Sequence, residues 1–255
     1  LRHLLIALPI FDRIRHQNAV YVAMTVSGIY KELFNNEKGL EYAKHAVDAS
    51  ENQHREELKT LAYLNYALSW LSVNQTDKAD QWLEKAKALI SPTNNHQLWT
   101  YYNYLGRSYQ LQGKYEDARQ TFLQALQQAE KAGHEIFTLD ILSSLVSASL
   151  RTPHWRSTKE YLDRYTELAK KVGNPLNERE ALRRLSEYYA KAGDYKKANE
   201  YNTQALKVND FLMLEKNADQ LNRLEARYQF EKKENEIRQL QQETKIQELS
   251  LRQRS

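Results

Sequence analysis

Four of the seven histidines, His16, His54, His96 and His134, recur about 40 residues apart. Imidazole is the side chain most often used to hold a transition metal or to move a proton near neutral pH. Regular spacing puts each ring at the same point of a repeated unit, so successive rings should lie on the order of 10 Å apart, a helix diameter. Zinc requires its ligands within ~2.1 Å of one centre, so these residues are expected as exposed loop histidines along one edge. The chain has no cysteine, which removes thiolate nucleophiles, zinc–thiolate sites and disulfides, and leaves the redox compartment open. It also lacks a phosphate-cradling Gly-rich loop, a His-Glu-x-x-His helix and a Gly-x-Ser-x-Gly elbow. No catalytic residue, metal or cofactor is expected, and the chain reads as a non-enzyme.

The remaining chemistry is recognition chemistry. The 37 basic and 33 acidic residues of the 255 leave a net charge of +4, and no run of Lys or Arg is long enough to serve as a nucleic-acid arm. Nucleic acid is therefore not an expected ligand. Seventeen tyrosines dominate the aromatic residues; they suit helix faces that are half packed and half wet. Only seven glycines and four prolines interrupt the chain, so long helices are expected. The apolar stretch from Leu4 to Phe11 is far short of the roughly 20 residues that span a bilayer. Because the chain begins and ends inside helical patterns, it reads as part of something longer.

The elements that must position any binding residues come from a period of about 40. Leu105-Gly106, Tyr109, Gly113, Tyr115, Ala118, Phe122 and Ala125-Leu126 align with Leu185-Ser186, Tyr189, Gly193, Tyr195, Ala198, Asn202 and Ala205-Leu206. A degenerate unit carrying Leu145-Val146, Pro153, Trp155 and Leu162 fits between them. Two more precede them, one with Tyr66-Ala67, Trp70, Asn74 and Ala79, the other with Val26-Ser27, Tyr30, Phe34 and Ala43. Unit starts fall near residues 20, 60, 99, 139 and 179, and residues 1–16 match the second helix of a unit. Each unit reads as two antiparallel helices: small residues such as Gly106, Ala118 and Ala125 let the backbones approach, and Tyr109, Phe122 and Leu126 fill the space. Gly113 and Gly193 close the turn inside a unit, while Gly133, Gly173 and Asn94 are expected at the helix C-caps that end one. Trp70, Trp82, Trp99 and Trp155 fall on packing faces. No alternating β pattern of useful length occurs.

The arrangement Tyr102, Leu105-Gly106, Tyr109, Gly113, Ala118, Phe122, Ala125 closely resembles the tetratricopeptide repeat, in an elongated form. The resemblance implies an all-α, tetratricopeptide-like α-solenoid, a right-handed superhelix of helix pairs over residues 1–215, followed by a long charged helix or coiled coil over 216–255.

In a curved stack the first helix of each unit lines the concave side, and its second, fifth, sixth, ninth and twelfth positions face a ligand. Among those positions the expected protein- or peptide-binding residues are Asn65, Leu68, Asn103, Tyr104, Arg107, Gln110, Asp140, Ser144, Ser147, Arg183, Arg184 and Glu187. A solvated inner face, or one filled by the chain's own helices, is the alternative. Chaperone-tail receptors of this family use paired Lys and Asn in successive first helices as a carboxylate clamp. Here the second positions hold Tyr21, Leu61, Thr100, Asp140 and Glu180, so that clamp is not expected.

From Phe211 to Ser255 there is no Gly or Pro, and the last helix is expected to run on by roughly 60 Å. Leu221, Leu224, Tyr228, Ile237 and Leu240 form a narrow apolar stripe, in two heptad registers, that suits a homodimeric coiled coil. The segment from Ala226 to Ile237 is similar to the signalling helix of bacterial tetratricopeptide-repeat sensors, histidine kinases and regulators. That resemblance implies a sensor region of a two-component type protein, on the extracytoplasmic side of a bacterial inner membrane, with the membrane span and output beyond the chain. A free-standing scaffold or adaptor, or a cytoplasmic peptide-pheromone receptor, are the alternatives.

Overall fold

The computed structural model describes the backbone of residues 1–254 and the side chains of residues 1–218, 220–222, 224–226, 230, 233 and 234. Among the described residues eleven α-helices follow one another: α1 (Arg2–Arg13), α2 (Asn18–Glu32), α3 (Asn36–Glu51), α4 (Glu56–Leu71), α5 (Thr76–Leu89), α6 (Asn95–Leu111), α7 (Tyr115–Ala132), α8 (Glu135–Ser149), α9 (Thr158–Val172), α10 (Pro175–Lys191) and α11 (Tyr195–Arg254). Among the described residues there is no strand. The helices pack as antiparallel pairs, α2 with α3, α4 with α5, α6 with α7, α8 with α9 and α10 with α11, each pair stacked on the next. The molecule is an all-α solenoid.

The turn inside a unit explains why the sequence breaks where it does. In four of the five pairs a backbone N–H reaches back to a carbonyl five residues earlier: Asn35 to Tyr30, Gln75 to Trp70, Lys114 to Tyr109 and Asp194 to Tyr189, at 2.9–3.0 Å. That bond forces the residue before the donor into the left-handed region. Gly113 and Gly193 occupy it at φ 76° and 82°, Asn74 and Phe34 at 57°. The degenerate fourth unit departs from this rule. Pro153 fixes its own φ, and a 3₁₀ turn at Trp155–Ser157 closes the pair instead.

Between units the chain turns in two ways. Gly133 and Gly173 cap α7 and α9 in the left-handed conformation at φ 69°. Asn94 was expected to do the same for α5 but instead opens α6: its side chain accepts from the Gln97 N–H. Asn is an efficient N-cap acceptor, and with Ser91-Pro92 ahead of it α5 ends on an extended residue, Ile90.

The core runs the length of the stack in three linked clusters. The largest centres on Phe122, Leu142, Leu145, Leu162 and Tyr165. Trp99 and Trp155 are buried, and Trp70 and Trp82 pack against the N-terminal cluster. The closest approach is at Gly106, where a Cβ would lie 2.7–3.0 Å from the Phe122 ring; α6 and α7 meet only because residue 106 has no side chain.

Helix α11 pairs with α10 and runs on past it as one element of 60 residues in all, roughly 90 Å long at 1.5 Å per residue. Of the expected dimer residues, Leu221 and Leu224 are 66% and 64% exposed. Tyr228, Ile237 and Leu240 lie outside the described side chains. Among the described residues no helix is long and apolar enough to cross a membrane.

Candidate functional site

The inner faces of α4 and α6 and the turns that follow α4 and α8 enclose an open cleft of about 540 Å³. Its apolar floor is Leu68, Leu71 and Leu111; its polar wall is Ser72, Arg107, Gln110, Tyr115 and Arg151. Three expected residues, Leu68, Arg107 and Gln110, are brought together here.

The neighbouring first helices hold this wall in place. Arg107 donates to Asp140 at 3.1 Å, and Asn103 donates to the other oxygen of the same carboxylate at 3.0 Å. Gln110 donates to the Ser147 hydroxyl at 3.1 Å. Asn103, expected at a ligand-facing position, is only 2% exposed and serves to orient Asp140. The Asn65 and Asn103 side-chain carbonyls are buried without a donor, as are several groups elsewhere in the stack without a partner, the Trp70 and Trp99 indole N–H among them.

Tyr104 is half-buried between Arg107 and Asp140, and burial raises its phenol above the usual range, with Arg107 acting against and Asp140 for that shift. Ser144 is half-buried on α8. Arg183, Arg184 and Glu187 do not reach the cleft. Arg183 and Arg184 pair with Glu180, and Arg184 also with Glu187, along the surface of α10. Those contacts are between residues three or four apart, which places the group on one helix rather than across a groove.

Arg107 and Arg151 line the cleft, Lys31 lies close by on α2, and among the described residues only Arg107 of the three pairs with a carboxylate. Arg151 donates to the Tyr115 hydroxyl at 3.0 Å and lies 5.3 Å from that ring's centroid. Lys31, on α2, donates to the Ser69 hydroxyl at 3.3 Å, one residue along α4 from the lining residue Leu68. Among the described residues neither Arg151 nor Lys31 pairs with an acid. Burial, and next the Arg107 charge, push the Lys31 amine down to about 8. Its stem has room because Gly39 carries no side chain; a Cβ there would lie 2.9 Å from Lys31 Cγ.

Lys31 and Leu71 fall at the twelfth position of their units, the place Gln110 holds in its own, so the register identifies them once it is extended to every unit. Arg151 and Tyr115 lie in or just after intra-unit turns, outside the positions a first-helix register considers.

The histidines are closer than the stacking argument allowed. His96 and His134 have ring centroids 6.5 Å apart, because they lean together beside the stacked Trp99 and Phe137 rings, 4.3 Å apart. Burial, and then His134, lower the His96 pKa. Among the described residues no group of three or more potential ligands gathers.

The sequence of residues 99–132 matches the tetratricopeptide repeat model. The fold is a tetratricopeptide-type solenoid. Structural comparison agrees along most of the chain. BtubC (BKLC) from P. vanneervenii superposes with a TM-score of 0.68 at 17% identity, over 83% of this chain and 88% of that one. A signal transduction ATPase with numerous domains, carrying a tetratricopeptide repeat sensor, from Pyrococcus horikoshii gives 0.66 at 21% identity, over 81% of this chain and 32% of its own. A Rap protein complexed with Competence and Sporulation Factor gives 0.63 at 15%, over 74% and 53%. Among curated proteins none matches the sequence. These identities establish the fold.

Proposed function

We infer that this chain is a peptide-binding regulatory region whose inner cleft takes an extended segment bearing an acidic side chain. The observation that carries the reading is the charge of the cleft: Arg107 and Arg151 line it, Lys31 lies nearby on α2, and Asp140 is the carboxylate that pairs with Arg107. A guanidinium presents a fixed fork to a carboxylate, and the Leu68, Leu71 and Leu111 floor supplies apolar area beside it. Gln110 and Ser72 offer hydrogen-bonding groups for a peptide backbone. The positions that carry a carboxylate clamp in chaperone-tail receptors are not the ones used; these cations come from ninth and twelfth positions and a turn.

Panned with a random hexapeptide display library, the chain is expected to select sequences with at least one Asp or Glu. Joint replacement Arg107→Gln and Arg151→Gln should then weaken the selected peptide by about 30-fold or more, two charge-assisted hydrogen bonds being lost. Selection of uncharged peptides, or unaltered affinity in the double variant, overturns the reading.

The second half of the proposal concerns output. We propose that the chain is the sensor region of a bacterial signal-transduction protein, and that α11 pairs with its copy in a partner chain and carries a change in the solenoid onward. Its support is the unbroken helix, the exposed Leu221 and Leu224, and the sensor role printed for the Pyrococcus protein's repeats. The molar mass in solution tests it. The full chain is expected to be a dimer and a form ending at Phe211 a monomer; two monomers would favour a free-standing adaptor.

A further inference from the structure

Phe34 occupies a turn position that the other units give to residues tolerant of positive φ, Asn74, Gly113 and Gly193. For an aromatic residue the left-handed region is strained, and strain persists where something else gains by it. The Asn35-to-Tyr30 hydrogen bond holds the backbone there, but the side chain gains nothing from packing: Phe34 is 93% exposed and buries almost no area of its own.

Its ring instead forms one lip of a second cleft, about 740 Å³, whose other wall comes from α10 and α11 at the far end of the solenoid. Leu176, Leu212 and Met213 make that wall apolar. Arg179 lies within it, donating one N–H to the Asn209 side-chain oxygen at 3.0 Å, while its Nε is buried without a partner. Among the described residues no carboxylate pairs with Arg179. Glu215 and Lys216, also in the lining, carry opposite charges and offset each other. A cavity of this size falls in the range of small-molecule sites, roughly 300–1,000 Å³ with an apolar lining and few polar groups.

We propose that this cleft is a second binding site, for a small amphipathic carboxylate whose apolar body lies between Phe34 and Leu212–Met213 and whose acid group meets Arg179. The site is separate from the inner cleft and does not depend on the peptide reading. Because its walls come from the first and last complete units, a bound molecule bridges the two ends of the solenoid beside the start of α11's free stretch.

The probe is 8-anilinonaphthalene-1-sulfonate, an aromatic body with one anionic group, with its uncharged parent N-phenyl-1-naphthylamine as control, titrated by fluorescence into the full chain. One saturable site is expected for the anion, at least tenfold tighter than for the neutral compound. Phe34→Asn and Arg179→Gln should each weaken the anion at least tenfold, and Arg179→Gln should leave the neutral compound unchanged. The double variant Arg107→Gln, Arg151→Gln should bind the anion like the parent chain. Phe34→Asn copies the residue that fills this turn in the next unit, so its melting temperature should not fall. Absence of saturable binding, insensitivity to either cleft variant, or a loss confined to the Arg107/Arg151 variant overturns the proposal. A dimer that Phe34→Asn converts to a monomer without altering dye binding assigns the surface to a second copy of the chain and overturns it as well.

Discussion

Phe122→Ala is expected to destabilise the chain by about 3–5 kcal/mol, the range for removing a buried aromatic ring. The ring is fully buried, belongs to the largest core cluster and rests on Gly106 of the preceding helix. Its loss therefore opens a cavity at the interface that makes α6 and α7 one unit. A domain of this kind holds only about 5–15 kcal/mol in all, so the urea midpoint should fall by a large fraction. The converse change, Gly106→Ala, pushes a methyl into the same ring from 2.7 Å, and overpacking of this kind costs about 1–3 kcal/mol. The two sites share one space, so Gly106→Ala combined with Phe122→Leu should cost clearly less than the two single changes summed. Additive losses would mean that the Gly106–Phe122 contact does not set the helix spacing.

Lys31→Met is expected to stabilise the chain at pH 7 while weakening its acidic ligand. At neutral pH the amine is charged in both the folded and the unfolded chain, so folding carries a charge into a mostly buried site where it donates to the neutral Ser69 hydroxyl. The folded amine titrates at about 8 against an ordinary 10.5, a gap equivalent to about 3 kcal/mol. Methionine keeps the length of the stem over Gly39 without the charge. Between about pH 8 and 10.5 the unfolded chain binds more protons than the folded one, so the stability of the parent chain rises with pH across that window. The advantage of the methionine variant should thus be full below pH 8 and shrink toward zero by about 10.5. Thermal or urea melts of both proteins at pH 7, 9 and 10.5 measure it. An advantage that stays constant with pH would show that Lys31 is not carrying a burial penalty. A stabilising change that costs affinity is the signature of a residue kept for binding.

The repeat was legible because its determinants are local. Gly106, Ala118, Phe122 and Ala125 state a close helix pair by size alone, and Gly113 and Gly193 state the turn by backbone freedom. Legibility ended where a residue broke its own local preference. Phe34 carries no turn signal, yet it adopts the same left-handed geometry because the Asn35-to-Tyr30 hydrogen bond imposes it. Asn94 can cap either end of a helix, and the extended Ile90 ahead of it decided for the start of α6. The candidate cleft was half legible. Helical register finds Leu68, Arg107 and Gln110, because each unit exposes the same face. Arg151 joins them only through the stacking of units, which brings a turn of the fourth beside helices of the second and third. The same stacking draws His96 and His134 together, closer than a helix diameter. Arg183, Arg184 and Glu187 share the register of the cleft residues but answer to charges on their own helix.

The most direct test of the central claim is the affinity of one library-selected acidic hexapeptide and of its twin with glutamine in place of the acidic residue, each titrated into the full chain at low and high salt. The account predicts that the glutamine twin binds about tenfold or more weakly, the loss of a charge-assisted pair. It also predicts that the gap narrows from 0.05 M to 0.5 M salt as screening lengths shorten, by roughly threefold in Debye length. Equal affinity of the two peptides at both salt concentrations would contradict it, because the cations of the inner cleft would then contribute nothing to recognition.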